Sequence, residues 1–449
     1  MTAPARIAAY HALRAVTLER SDLPTSLQLS RQHLADERDR GLAAEIVTGA
    51  LRWQRSLDFL IEHYARRRLD RLDPEVVTIL RLSLYQILHL DRVPASAVVD
   101  DAVSLTRTAR KPSASGFVNA VLRSTLRGRK ALPLPARPER ATHREAAIAY
   151  LSITLSHPAW LMGRWLDRCG FEAAERWARF NNDAAPLTLR VNRLRTTRDE
   201  ARRLLAFGDV ETVPTRYAPD GLTVTSGNPL RRPADGTVFV QDEASQLIAA
   251  VVGARPGDRV LDLCASPGGK TTAMAADMAD TGVIVASDVR TSRLTLLQKT
   301  IRLSGATHIH VVRVPADGPL PLAPLFDRVL VDAPCSGLGT LRRDPDIKWR
   351  RRESDFTALA RMQRALLLRA SEVVRPGGRL VYATCSSEPE ENDDVVGAFL
   401  RERPDFSPVD LRQHESPVVT PFSDAHGHFR TLPFVHGLEA FFAAVLVRA

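Results

Sequence analysis

Two thiols and a glycine-bearing loop hold most of what this chain could do chemically. Cys335 lies in Asp332-Ala333-Pro334-Cys335 and Cys385 in Thr384-Cys385-Ser386, each directly after a short run rich in β-branched residues. Another such run ends at Cys264-Ala265-Ser266-Pro267-Gly268-Gly269-Lys270, followed by two threonines. Glycines placed there let backbone amides approach a ligand at a helix N-terminus. A phosphate-cradling P-loop needs glycine where Cys264 stands, so the Gly-Lys-Thr is a weak phosphate signal. Asp288 ends a further run about 20 residues beyond the glycines, where a carboxylate accepts from ribose hydroxyls. Asp317 follows the next run and Asp332 ends the one after. Such a ring of acids suits an adenosine-bearing sulfonium cofactor better than a triphosphate, although each aspartate taken singly could equally cap a turn.

A thiol beside a methyl donor of that kind has a defined use. Carbon 5 of cytosine is a poor nucleophile until the ring loses its aromaticity. Addition of sulfur to carbon 6 makes carbon 5 enamine-like and splits one difficult step into easier ones. A second acid/base group must then serve the departure of the carbon 5 proton and of the sulfur. A free thiol is only a few per cent ionised near neutral pH, so neighbouring charge or hydrogen bonds must assist. Spacing does not say whether Cys335 or Cys385 attacks. Cys169 and Cys264 read as small apolar fillers. The four cysteines contain no Cys-x-x-Cys pair, which argues against a zinc site or a disulfide framework.

These residues need a scaffold that aligns them. Runs at Arg259–Leu263, Val283–Ser287, Ile309–Val314, Arg328–Val331 and Arg379–Ala383 alternate with helical lengths, which implies a doubly wound, mostly parallel α/β sheet over residues 237–449. Ligands bind beyond the carboxyl ends of such strands, where the loop, the acids and both thiols fall. Ahead of it, residues 1–131 read as an all-α domain: Ile46, Ala50, Trp53, Leu57, Ile61 and Tyr64 keep helical spacing, as do Val76, Leu80, Leu84, Ile87 and Leu88. Leu132–Pro138 is a proline-stiffened linker. Residues 140–235 read as a small α+β domain, with helix around Trp160 to Phe180, strands at Leu187–Val191 and Leu222–Thr225, and an exit at Pro229 and Pro233.

A net charge of +10 and a pI near 9.9 fit a polyanionic partner. Basic groups gather at Arg66, Arg67, Arg68 and Arg71, at Arg107, Arg110 and Lys111, and at Arg123, Arg127, Arg129 and Lys130, either as solvated helix faces or as a phosphate-binding surface. Arg342, Arg343, Lys348, Trp349, Arg350, Arg351 and Arg352 offer phosphate contacts and one stacking face, or a solvated helix start with Trp349 in the core. No run of 18 apolar residues occurs and Met1 to Tyr10 lacks the apolar core of a signal peptide, so a cytoplasmic protein without membrane or metal is expected.

In combination, Cys264 to Lys270, Asp332-Ala-Pro-Cys-Ser-Gly-Leu-Gly339 with Arg343-Asp-Pro-Asp-Ile-Lys-Trp349, and Thr384-Cys-Ser386 with Pro389-Glu-Glu-Asn392 closely resemble the RNA cytosine-5 methyltransferases of the Sun/Fmu type. Gln241-Asp-Glu-Ala-Ser245 and Gly437-Leu-Glu-Ala-Phe-Phe442 are similar to that family too. The front segment resembles the NusB-type RNA-binding module of the bacterial RsmB subgroup, so the likeness spans essentially the whole chain. It implies a Rossmann-like methyltransferase domain that uses S-adenosyl-L-methionine. It further implies Cys385 as nucleophile, Cys335 as the thiol assisting proton removal and adduct release, and Cys264, Ala265, Ser266, Pro267, Gly268, Gly269, Lys270, Asp288, Asp317 and Asp332 as cofactor contacts. The implied substrate is an unpaired cytosine of small-subunit (16S) ribosomal RNA, methylated by a monomer. Ser266 stands where the family often has alanine. The rival readings are a transfer-RNA methyltransferase of the same chemistry, a non-catalytic NusB-like RNA-binding or antitermination factor, and a nucleotide hydrolase.

Overall fold

The computed structural model describes residues 2–139, 143–231, 234–413 and 416–449. Met1, Pro233 and residue 140, at the expected start of the middle segment, fall outside them. The chain divides into two compact units, Met1–Ala184 with Leu341–Glu353, and Ala185–Thr340 with Ser354–Ala449.

The first unit is helical. Its front helices are Pro4–Thr17, Leu23–Gln32, Glu37–Arg52, Gln54–Ala65, Pro74–His89, Ala95–Thr108 and Ser115–Gly128. Asp22 and Asp36 cap two of them through their side chains, and Pro4 and Pro74 open two others where a missing N–H costs nothing. Leu13, Ile46, Leu57, Leu80 and Leu122 meet in one buried core. The spacing from Ile46 to Tyr64 predicts one continuous stripe, and the structure corrects this to two helices that part at Trp53. Trp53 leaves helical geometry at φ −102°, ψ 12°, and its indole stacks on His89 at 4.7 Å, so the core stripe continues while the helix does not. Arg81 makes a paired contact with Asp58 at 2.6 and 2.8 Å, both nearly buried. The linker is pinned rather than loose: Leu132 and Leu134 pack on the core, and the Pro135 carbonyl accepts from Thr154 Oγ1 at 2.6 Å. Helices Ala159–Cys169 and Phe171–Asn182 follow, with Trp165 stacked on Trp177.

Leu341–Glu353 packs within this unit. Lys348 is completely buried, and its Nζ donates to the Arg52 carbonyl at 3.3 Å, the Ser156 carbonyl at 3.2 Å and Asn182 Oδ1 at 2.9 Å. Trp349 Nε1 donates to the Leu51 carbonyl at 2.6 Å, and its ring lies against the helical core. This corrects the reading of Lys348 as a phosphate contact and of Trp349 as a stacking face. A buried ammonium is tolerated only when its donors are satisfied, and three oxygens converge on this one.

The second unit carries two sheets. The smaller contains β1 (Thr188–Val191), β2 (Glu211–Pro214), β3 (Gly221–Ser226) and β4 (Val238–Val240) in the order β2-β3-β1-β4, all antiparallel. Helix Arg198–Phe207 covers it by setting Ala201 and Leu205 against Leu189, Val191 and Leu222. The larger contains β5 (Arg259–Asp262), β6 (Val283–Asp288), β7 (Ile309–Arg313), β8 (Phe326–Asp332), β9 (Val374–Thr384), β10 (Phe406–Pro408), β11 (Phe429–Arg430) and β12 (Phe442–Arg448). The order is β10-β12-β9-β8-β5-β6-β7, with β11 beside β12. Pairings from β7 across to β9 are parallel, and β12 lies antiparallel between β9 and β10. Alternate residues face opposite layers. Val260, Leu330 and Val381 meet helices Glu243–Val252 and Gly269–Asp277, whereas Leu261, Val329 and Leu380 meet Asp355–Ser371 and Asp393–Glu402. The winding reverses at β5, so a crevice opens where the chain leaves β5 and β8.

Removing the Asp58 carboxylate leaves the Arg81 charge buried without its partner. Asp58→Ala is therefore expected to lower the unfolding free energy of the first unit by about 3–5 kcal/mol, read as a fall in the urea midpoint at unchanged slope.

Candidate active site

Asp332 at the end of β8 is the register partner of Ala383 near the end of β9. The two strands therefore finish side by side, and the turns beyond them bring Cys335 Sγ to 3.2 Å from Cys385 Sγ. Both thiols are partly exposed. The Cys335 turn closes onto its neighbour through Gly339, whose N–H donates to the Cys385 carbonyl at 2.9 Å while its own carbonyl accepts from the Ala440 N–H at 3.0 Å. A β-carbon on Gly339 would lie 1.9 Å from the Ala440 carbonyl oxygen and 2.8 Å from that of Cys385. Only glycine fits, which ties the Gly-Leu-Gly and Gly-Leu-Glu-Ala-Phe-Phe segments to one contact.

The loop from Cys264 to Lys270 leaves β5 in the same crevice. Gly268 takes φ +104°, where a β-carbon would meet Leu297 at 2.9 Å, and helix Gly269–Asp277 begins at once. The Ala265 N–H donates to the Ser287 carbonyl at 2.9 Å and Ser266 Oγ to the Arg293 carbonyl at 3.0 Å, which fixes the loop beside the end of β6; Pro267 is exposed. There Asp288 is nearly buried and accepts from the Arg290 N–H at 3.1 Å. Arg190 on β1 steadies the helix start, donating to Gln241 at 2.6 Å and Thr272 at 2.7 Å.

Lys270 Nζ donates to Asp332 Oδ2 at 2.7 Å. Burial pulls the Lys270 ammonium down, but Asp332, Cys385 and Asp262 overcome it and leave the group raised. Cys335 is pushed well above the ordinary thiol range, chiefly by its hydrogen bond to Cys385, then by burial and by the charges of Cys385 and Glu391. Cys264 is also raised, by burial and then by Asp262, Asp332 and Asp288, and so remains a thiol. Cys169 donates to the Trp165 carbonyl at 2.9 Å in its own helix. Asp317 stands exposed beyond β7.

Two carboxylates went unassigned in the sequence. Asp262 ends β5, is almost fully buried, accepts from Thr271 Oγ1 at 2.7 Å, and has a second oxygen without a partner. Burial, more than its Asp332 and Asp288 neighbours, pushes it up to about 7. The strand-end rule that singled out Asp288 and Asp332 would have found it. Glu391, inside the Pro-Glu-Glu-Asn motif, reaches both cysteine turns.

The crevice fits S-adenosylmethionine. Asp262 offers an orphaned acceptor to a ligand amine or hydroxyl, Asp288 ends the neighbouring strand β6, Gly268 leaves room for close approach, and the acid-rich rim suits a sulfonium. Fold and site together define an S-adenosylmethionine-dependent methyltransferase.

Comparison with known proteins narrows the class. The model for 16S rRNA methyltransferase RsmB/F matches residues 249–447, the NusB family model residues 3–127, and the ferredoxin-like domain model of RsmF/B-like methyltransferases residues 157–231. A ribosomal RNA small subunit methyltransferase B of Pseudomonas putida is 36% identical over 90% of this chain and 91% of its own, and one of Klebsiella pneumoniae 33% identical over 93% and 92%. Among solved structures, that titled PH0851 superposes with a TM-score of 0.81 at 26% identity, over 100% of this chain and 99% of its own. A methyltransferase homologue from Pyrococcus horikoshii gives 0.57 at 28% identity over 68% of this chain and 99% of its own. The chain belongs to the RsmB/F family of 16S rRNA methyltransferases.

Because the folded Asp262 carboxyl titrates near 7 and the unfolded one near about 4, the native state holds an extra proton between those values. The stability it confers is complete below that window and is lost as pH rises through 7. Asp262→Asn should flatten the fall in melting temperature between those pH values, and an unchanged slope would count against the assignment.

Proposed function

We propose that this protein methylates carbon 5 of an unpaired cytosine in small-subunit (16S) ribosomal RNA, through a transient bond from Cys385 Sγ to carbon 6. The observation that carries this reading is the thiol pair at 3.2 Å, in which the hydrogen bond and the nearby charges favour the proton on Cys335. The thiol of Thr384-Cys385-Ser386 is then the one we assign the attack, as the motif's resemblance implies. The raised Lys270 ammonium, coupled to both Asp332 and Cys385, adds a positive charge on the same side.

When bound, S-adenosylmethionine supplies an electrophilic methyl group. The loop from Cys264 to Lys270, with Asp262, Asp288, Asp317 and Asp332, would hold it. Attack by Cys385 Sγ on carbon 6 forms the carbon–sulfur bond and moves the ring electrons onto carbon 5, which takes the methyl group. Once its own proton has passed to solvent, Cys335 accepts the carbon 5 proton, and re-forming the bond between carbons 5 and 6 expels Cys385. A stacked base hides carbon 6 from a sulfur, so the target must be single-stranded or extruded. The exposed Arg66, Arg67, Arg68, Arg71, Arg123, Arg127 and Arg129 of the NusB-like module support RNA backbone contacts. The substrate class also accords with action in the cytoplasm.

Incubating Cys385→Ala and Cys335→Ala separately with 16S rRNA and cofactor tests the assignment. Cys385→Ala should lose methylation by at least about a thousandfold and form no adduct. Cys335→Ala should accumulate a protein–RNA species stable on a denaturing gel. Adduct formation by the Cys385 variant would reverse the two roles, and methyl incorporation mapped to a uridine or a purine would overturn the cytosine reading.

A further inference from the structure

Glu391 makes and breaks no bond to substrate, yet it is completely buried and aimed at both thiol turns. Its Oε1 accepts from the Ser336 N–H at 2.7 Å and from Gln363 Nε2 at 2.9 Å, and its Oε2 from Ser386 Oγ at 2.5 Å. Ser336 follows Cys335 and Ser386 follows Cys385, and the two serine hydroxyls lie 3.1 Å apart. The backbone beneath is fixed as well: the Tyr382 hydroxyl donates to the Glu391 carbonyl at 2.6 Å, and Asn392 joins Thr384 at 2.5 Å to the Ser386 carbonyl at 3.0 Å. One carboxylate thus spans the gap between two loops whose sulfurs are in contact.

The charge of this group matters as much as its reach. Every side-chain contact is one in which Glu391 accepts, and each donor is neutral. A buried negative charge disfavours a second one on the nearest sulfur. The titratable groups facing Cys335 are Cys385 and Tyr382 from β9 and Glu391 from the turn after it, whereas Cys385 also faces Lys270 from the helix after β5.

We infer that Glu391 is a positioning residue that settles which thiol attacks, by clamping both cysteine turns and setting its acidic group against the Cys335 turn. The inference rests on the reading of Cys385 as nucleophile. It differs from a purely structural role, which would cost stability and leave the reactivity of the two sulfurs as it was.

The test is alkylation of the full-length, RNA-free enzyme by iodoacetamide across pH, with each cysteine followed by peptide mass mapping. Glu391→Gln keeps shape and an acceptor but removes the charge. Its Cys335 midpoint should fall by about one pH unit or more, with Cys335 alkylation near neutral pH rising about tenfold. Methylation turnover should fall at least about tenfold while the cofactor KM stays within about twofold. Glu391→Asp keeps the charge and shortens the reach, so the Cys335 midpoint should stay put while turnover drops. A folded Glu391→Gln enzyme with an unchanged Cys335 profile overturns the inference, as does a Glu391→Asp enzyme with full turnover. If Glu391→Gln is recovered unfolded, the Asp variant decides by the same criteria. Alkylation needs no RNA, so a shifted Cys335 profile beside a wild-type enzyme that spares cytosine would strike the substrate reading and leave Glu391's role standing.

Discussion

Because Asp332 and Ala383 pair in the parallel ladder of β8 and β9, the two strands end at the same height, one strand spacing of about 4.8 Å apart. Everything in the crevice follows from that register. A slip of one residue would turn each β9 side chain to the opposite face and carry Cys385 away from Cys335. The register is held from both sides: β5 pairs with β8, and β12 lies antiparallel on β9 with Phe442 opposite Thr384. The final strand therefore buttresses the thiol turn as well as completing the sheet, and Gly339 lets the Cys335 loop close onto Ala440, two residues ahead of that strand.

The electrostatics follow the same geometry. Strand ends deliver Asp262, Asp288 and Asp332 to one crevice, where Lys270 is hydrogen-bonded to Asp332 and Arg293 lies 3.7 Å from Asp288. In a desolvated setting such an arrangement divides protons unequally between chemically identical groups. Cys335 is raised by its neighbours Cys385 and Glu391, whereas Cys385 also meets the Lys270 ammonium, so two cysteines of the same intrinsic acidity stand in different surroundings.

Much of this was legible in the chain because it is encoded locally. The β-branched runs ending at Leu263, Ser287, Val314, Val331 and Ala383 marked the five parallel strands, and the rule about carboxyl ends put the thiols on one rim of the sheet. β12 was not legible: Phe-Ala-Ala-Val-Leu-Val is apolar at every step, without the alternation that separates a strand from a buried helix. β4 is only three residues long, and β2, Glu-Thr-Val-Pro, carries a single apolar strand former beside a proline. Lys348 and Trp349 misled for another reason. They sit in an arginine-rich stretch, and what buries them comes from Leu51, Arg52, Ser156 and Asn182, which local pattern cannot bring near. The clamp of Glu391 across both cysteine turns was equally hidden, since Ser336 and Ser386 meet it only in three dimensions.

The placement of Leu341–Glu353 within the first unit bears on how the protein is made. A ribosome releases the front helices first, and domains ordinarily fold as they emerge. Here the carbonyls of Leu51, Arg52 and Ser156 wait for donors that are synthesised only after the chain has passed through the whole glycine loop and Cys335. The helical module is thus encoded in two separated pieces, and its last side chains lock into place during late elongation. A nascent chain stalled before Leu341 would present an unfinished module to chaperones, and the gene cannot be cut behind Ala184 to yield a self-sufficient cassette.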